Sequence, residues 1–271
     1  MNLSVSNIAW TVNDDVCMYN FLYEQKVYGL EIAPTRIYSI EPYDKLSEAC
    51  GWAQNIRRRY KLDIPSMQSI WYGRTEKIFG DKVDREFLVE YTKKAIDFAQ
   101  VIGCKNLVFG NPKNRDAENV ATIMPIAVAF FKEIGDYAAE HNAVIALEPN
   151  PSIYETHFMN HTEQTVEMAY KINSEGVKVN IDLGAIIHNE EDINYLWQIP
   201  EFISHVHISE PMLNIIERRE LHKKLFAILK GIDYSHFVSI EMSNKGDLMM
   251  VKEVIKYVKS LMSDENLCSV K

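Results

Sequence analysis

Lys178-Val179-Asn180-Ile181-Asp182 and Ser204-His205-Val206-His207-Ile208-Ser209 decide how the chain is read. Large apolar residues alternate with polar ones in both stretches. Successive strand residues point to opposite faces of a sheet. Val179 and Ile181 therefore oppose Asn180 and Asp182, and Val206 and Ile208 oppose His205 and His207. The same parity runs through Ala143–Glu148, where Ile145 and Leu147 oppose Ala146 and Glu148. In Phe237–Met242, Val238, Ile240 and Met242 oppose Ser239 and Glu241. The large apolar set of each strand is expected to pack on outer helices. The opposite set then faces an interior, and at or near each strand's carboxyl end it finishes on an ionisable residue.

Working outward, four more short apolar runs precede these, at Leu3–Ile8, Gly29–Ala33, Ile64–Ile70 and Asn106–Gly110. Helical patterns fall at roughly 14–25, 44–60, 84–102, 119–140, 162–174, 192–199, 221–230 and 246–262. The apolar period switches from about 2 to about 3.6 residues each time. Strand and helix in alternation imply parallel pairing with right-handed crossovers. Eight such units predict a closed α/β structure, a (β/α)8 TIM barrel, as one domain over residues 1–271. An open doubly wound sheet is the alternative. The turn after the first strand reads Ile8-Ala9-Trp10-Thr11 and lacks the glycine-rich dinucleotide signature. Long loops follow strands 3, 4 and 5, at the ends where barrels build their sites.

The formal charge is −9, from 38 acidic and 29 basic residues, which argues against a nucleic-acid partner. The run Arg57-Arg58-Arg59 reads as a solvated helix end favoured by the helix dipole. Cys17, Cys50, Cys104 and Cys268 lie far apart and read as reduced thiols of a cytoplasmic protein. Neither a signal peptide nor a membrane span is expected.

The inward set places Glu148, Asp182, His207 and Glu241 at one mouth of the barrel. Three carboxylates so close would repel and raise one another's pKa values. One divalent cation removes that conflict, and mixed carboxylate and imidazole ligands suit Mn²⁺, Co²⁺, Zn²⁺ or Mg²⁺. An acid at a strand end is also a common helix N-cap, and a lone inward histidine is often a hydrogen-bonded core residue. Four such residues at matched depth favour the metal.

Ala-Leu-Glu148-Pro-Asn-Pro, Val-Asn-Ile-Asp182-Leu-Gly, His-Val-His207-Ile-Ser-Glu210-Pro and Ser-Ile-Glu241-Met resemble segments of the xylose isomerase-like TIM barrel family. That family includes sugar isomerases, ketose 3-epimerases, inosose dehydratases and the endonuclease IV group. Gly29-Leu-Glu31-Ile-Ala-Pro, Ser66-Met-Gln68-Ser and Leu-Val-Phe-Gly110-Asn-Pro extend the resemblance upstream. It implies a metal held by Glu148, Asp182, His207 and Glu241, with Glu148 and Glu241 also the acid/base pair. The activity it implies is isomerisation or epimerisation of a sugar or sugar derivative by proton transfer through a cis-enediolate. Dehydration of a keto-polyol is the alternative, and a nuclease or a non-catalytic metal or sugar binder ranks below. Many relatives form dimers or tetramers, so a homo-oligomer is a further expectation.

The chain departs from the family at Ala185, where many relatives carry a substrate-binding histidine. His188, one turn on, is the candidate replacement. Gln68, Arg115 and Glu210 complete the expected substrate-binding set. Trp10, Trp71 and Tyr72 stand as either an apolar wall for a sugar face or packing between loop and barrel.

Overall fold

The computed structural model describes residues 1–117 and 119–263; Cys268 lies outside them. Eight parallel strands are joined in the order β2-β1-β8-β7-β6-β5-β4-β3. They are β1 (Asn2–Ser6), β2 (Gly29–Glu31), β3 (Ser66–Met67), β4 (Asn106–Phe109), β5 (Val144–Leu147), β6 (Val177–Asp182), β7 (Ile203–Ile208) and β8 (Phe237–Ile240). Between β2 and β3 the sheet closes through the isolated bridges Gly29–Asp63 and Ile32–Met67. Backbone bonds from Leu30 N–H to the Asp63 oxygen and from Gln68 N–H to the Ile32 oxygen, each 2.9 Å, complete the contact. The result is a nearly closed TIM barrel.

Helices between the strands cover the outside. They are α1 (Asp15–Glu24), α2 (Pro34–Ile37), α3 (Leu46–Tyr60), α4 (Lys82–Ile102), α5 (Val120–Glu140), α6 (Thr162–Ile172), α7 (Leu183–His188), α8 (Glu220–Gly231) and α9 (Leu248–Met262). Their boundaries follow local chemistry. The Asp81 carboxylate accepts from Asp84 N–H and starts α4 at Lys82, two residues before the start that the sequence pattern suggests. Gly103, at φ +77°, ends it in the left-handed region that glycine enters without strain. His161 and Gln164 form a reciprocal cap at the start of α6. The segment expected as a helix over 192–199 is a 3₁₀ turn, Ile193–Gln198. The short α7, which no periodic pattern announces, follows β6 without a loop. The third strand, Ser66–Met67, is much shorter than the expected Ile64–Ile70.

The two faces of each strand differ as the alternation requires. Val5, Leu30, Leu107, Phe109, Ile145, Leu147, Val179, Ile181, Val206, Ile208, Val238 and Ile240 belong to the apolar core. Each such buried side chain contributes about 1.5–3 kcal/mol to the packing of sheet on helix. The opposite set is polar and equally buried, including Ser4, Ser6, Glu31, Ser66, Asn106, Asn180, His205, His207 and Ser239. These groups bond to one another. The Asn106 amide donates to the Ser66 hydroxyl at 3.0 Å, and Gln68 donates to Ser6 at 3.0 Å. The barrel axis is thus a polar column inside an apolar sleeve. Among the described residues no helix is long and apolar enough to cross a membrane.

Trp71 is buried, donates to the Thr92 hydroxyl at 2.9 Å and packs edge-on against Phe109. Trp10 is also buried and donates to Asp15 at 2.9 Å. Both are packing residues between loop and barrel, whereas Tyr72 is 70% exposed.

Candidate metal and substrate site

Glu148 and Glu241 stand one residue beyond β5 and β8, yet both remain in the backbone ladder. Glu148 N–H bonds the Phe109 oxygen at 3.1 Å and Glu241 N–H bonds the Ile208 oxygen at 2.9 Å. Asp182 ends β6 and also caps α7, accepting the Ala185 N–H on Oδ1 at 2.6 Å. It therefore does both things an acid at a strand end can do: one oxygen caps the helix, and the other faces the barrel mouth. His207, on β7, is fully buried below them.

The structure brings Glu148, Asp182, His207 and Glu241 together, with one potential ligand atom from each within 4.8 Å of the others. His207 Nδ1 lies 3.0 Å from Glu148 Oε1, 3.1 Å from Glu241 Oε2 and 4.0 Å from Asp182 Oδ2. Yet Nδ1 is a buried nitrogen that makes no geometrically sound hydrogen bond. A nitrogen surrounded by three carboxylates and bonded to none of them suits a cation that all four share. Electrostatics agree. Burial, then Glu148 and Glu241, push the Asp182 carboxyl up to about 8. Burial likewise raises Glu241 despite the opposing His207. Burial alone would lower His207, but Glu241, Glu31 and Glu148 hold it well above the ordinary imidazole range.

Amides and a hydroxyl fix these carboxylates. Asn180 donates to Glu148 Oε1 at 2.7 Å and Asn150 to Glu148 Oε2 at 3.3 Å. Gln68 donates to Glu241 Oε1 at 2.9 Å, and Ser209 to Asp182 Oδ2 at 2.6 Å. A Cβ added at Gly110 would come within 2.6 Å of Glu148 Oε2. Only glycine leaves room there for the carboxylate.

A cavity of about 210 Å³ opens above this cluster, lined by Gln68, Tyr72, Gly110, Asn111, Glu148, Asn150, Tyr154, Asp182, Leu213 and Glu241 among others. The Tyr154 hydroxyl accepts the Met212 N–H at 2.9 Å, which ties the loop after β5 to the loop after β7. Burial and then Asp182 raise the Tyr154 phenol, so it keeps its proton and can donate it.

Three expected substrate residues do not line the cavity. Arg115 is fully buried. Its Nη2 bonds the Glu148 backbone oxygen at 2.8 Å and Asn150 Oδ1 at 2.9 Å, so it braces the wall from behind. Glu210 is held by Arg219 through two 2.7 Å bonds and does not line the cavity. His188 is exposed at the last turn of α7. Gln68 alone of that set reaches the cavity.

The sequence reading left out Glu31, Asn150, Asn180, Ser209 and Tyr154. Parity had already set Asn180 on the inward face beside Asp182 without giving it a role, and it would have marked Glu31 as a charged residue between Leu30 and Ile32. Asn150, Ser209 and Tyr154 stand on loops, where no period marks them.

Residues 58–261 match the model of the xylose isomerase-like TIM barrel family. The chain belongs to that family. Among solved structures it is similar to 3-keto-D-glucoside 4-epimerase from E. coli, at 15% identity and TM-score 0.75, covering 96% of this chain and 99% of that one. D-psicose 3-epimerase from Clostridium cellulolyticum H10 gives 13% identity and TM-score 0.77, covering 97% and 99%. An AP endonuclease of family 2 from Brucella melitensis gives 17% identity and TM-score 0.73, covering 96% and 99%. At these identities the likeness is one of fold. No curated protein matches the chain.

Proposed function

We propose that this chain is a divalent-metal-dependent isomerase or epimerase of a sugar or sugar derivative. The observation that carries the reading is the convergence of Glu148, Asp182, Glu241 and the unbonded Nδ1 of His207 at the floor of one cavity. A divalent ion held there, such as Mn²⁺, would polarise a substrate carbonyl as a Lewis acid and offset the charge of an enediolate. The names of two similar structures, both sugar epimerases, support the reading. So does the cavity, about 210 Å³, which falls below the roughly 300–1,000 Å³ of drug-sized sites and suits a monosaccharide.

The chain's own residues supply the proton chemistry. Glu148 and Glu241 each turn one oxygen to His207 Nδ1 and rest the other on an amide, that of Asn150 or Gln68. A carbon next to a carbonyl can lose its proton to one carboxylate. If the other returns it to the same carbon, that centre inverts. Return to the neighbouring carbon moves the carbonyl. The Tyr154 hydroxyl and the Asn150 and Gln68 amides stand at the cavity wall to orient sugar hydroxyls.

The test is Mn²⁺-dependent exchange of solvent deuterium into a panel of ketoses, aldoses and keto-inositols, with Glu241→Gln as control. Exchange that needs both metal and Glu241 supports the proposal, and the labelled carbon tells epimerisation from isomerisation. Loss of a hydroxyl from a keto-inositol would replace it with dehydration. Metal binding without exchange on any ligand would favour a binding role.

A further inference from the structure

Below the four clustered ligands, on the barrel axis, lies a carboxylate that the proton chemistry does not use. Glu31, on β2, is fully buried. Its Oε2 lies 3.0 Å from Nε2 of His207, on β7 across the barrel. The ring of His207 is therefore held at both ends. Nδ1 faces Glu148, Asp182 and Glu241, and Nε2 faces Glu31.

We infer that Glu31 is a positioning residue: it accepts the Nε2 proton of His207 and so presents Nδ1, with its lone pair, to the metal. This rests on the metal reading above. An imidazole ligand offers a metal only a nitrogen that carries no proton. Without an acceptor at Nε2, the single proton of a neutral ring would settle on Nδ1, 3.0 Å from Glu148 Oε1. The ligand nitrogen would then be spent on a carboxylate. A fixed anion at Nε2 removes that option, because the proton satisfies a buried charge there.

The surroundings keep Glu31 in this task. His205 Nε2 lies 3.1 Å from the same Oε2 and 2.8 Å from the Ser239 hydroxyl, which in turn contacts Ser4. These groups pack the carboxylate from below and hold it in register with His207. Glu31, His205 and His207 are also close enough to form a ligand set of their own. Such a set would require His207 to bind two ions as an imidazolate. The hydrogen-bonded arrangement satisfies the same atoms with the protons already present.

The experiment uses Zn²⁺ as probe and protein labelled with ¹⁵N-histidine. In the Zn²⁺-loaded wild type, the expected result is a metal-shifted His207 Nδ1 and a protonated Nε2. Glu31→Gln is expected to weaken Zn²⁺ and Mn²⁺ binding by about 10- to 100-fold and to move the His207 Nε2–H resonance. His207 bound through Nε2 would overturn the inference. So would a folded Glu31→Gln protein with unchanged affinity and an unchanged resonance. Two ions per chain, one of them lost in Glu31→Gln, would make Glu31 a ligand instead. If Glu31→Gln does not fold, the wild-type nitrogen resonances decide by themselves. A wild type that binds neither ion would defeat the metal reading, and this inference with it. Metal binding with no effect of Glu31→Gln defeats this inference alone.

Discussion

The two ends of the barrel make an instructive pair. The amino end holds a cavity of about 680 Å³, lined by Arg57, Asp63, Lys105, Lys178, Glu201 and His236 among others. The carboxyl end holds one of only about 210 Å³. The larger cavity carries charges of both signs, two of them matched to each other. Arg57 pairs with Asp63 at 2.8 Å, and Lys178 donates to the Glu201 backbone oxygen at 3.0 Å. The smaller one crowds three carboxylates around one imidazole. The two cavities differ in crowded, unbalanced charge more than in volume, and such charge is the mark of a candidate site.

The sharpest way to break that comparison is to neutralise the acids. Glu148→Gln and Glu241→Gln should each lower deuterium exchange by about 10²- to 10⁴-fold, the usual worth of a general acid or base. Circular dichroism should show both variants folded. If both retain wild-type exchange rates, the carboxyl-end cavity is not where the chemistry occurs.

The next effect concerns metal and pH together. The folded-state value of Asp182, about 8, lies above its ordinary 3.8. The folded protein therefore holds that proton where the unfolded chain has released it. Stability without metal should fall as pH rises from about 4 to about 8. Thermal melts in chelator should show a lower Tm at pH 8 than at pH 5. Asp182→Asn should flatten that slope and weaken Mn²⁺ binding by more than about tenfold. Excess Mn²⁺, at about 100 times its Kd, should return about 2.7 kcal/mol to the wild type.

A smaller effect is expected at the rim. Arg219→Gln leaves the buried Glu210 carboxylate without its partner and should cost about 2–3 kcal/mol in chemical denaturation. Exchange should change less than in the Glu148 and Glu241 variants, because Glu210 does not line the cavity. The smallest effect belongs to the amino end. Arg57→Ala breaks a largely exposed pair, should cost less than about 1 kcal/mol, and should leave exchange at the wild-type rate. A large loss there would give the larger cavity a role.

The barrel and its four clustered residues were legible in the sequence for a definite reason. Strand parity is local, so Val206 beside His207 already tells which way each side chain points. Parallel strands in register, Asp182 opposite His207, then bring residues at matched depth to one end. The substrate-binding set was far less legible. Arg115 and Glu210 carry charges that read as free until their partners are known, and those partners sit in other segments of the chain. Arg115 finds the backbone after β5, and Glu210 finds Arg219.

The sequence by itself determined the alternation of strand and helix, the polar inner face and the placing of Glu148, Asp182, His207 and Glu241 at one mouth. Each of these follows from periodicity over a few residues. Only the tertiary structure decided that Glu31 meets His207 across the axis, that Tyr154 joins two loops, and that Arg115 braces a wall. Those contacts join residues far apart in the chain. Their geometry is set by closure of the barrel and the course of its loops, which no local pattern encodes.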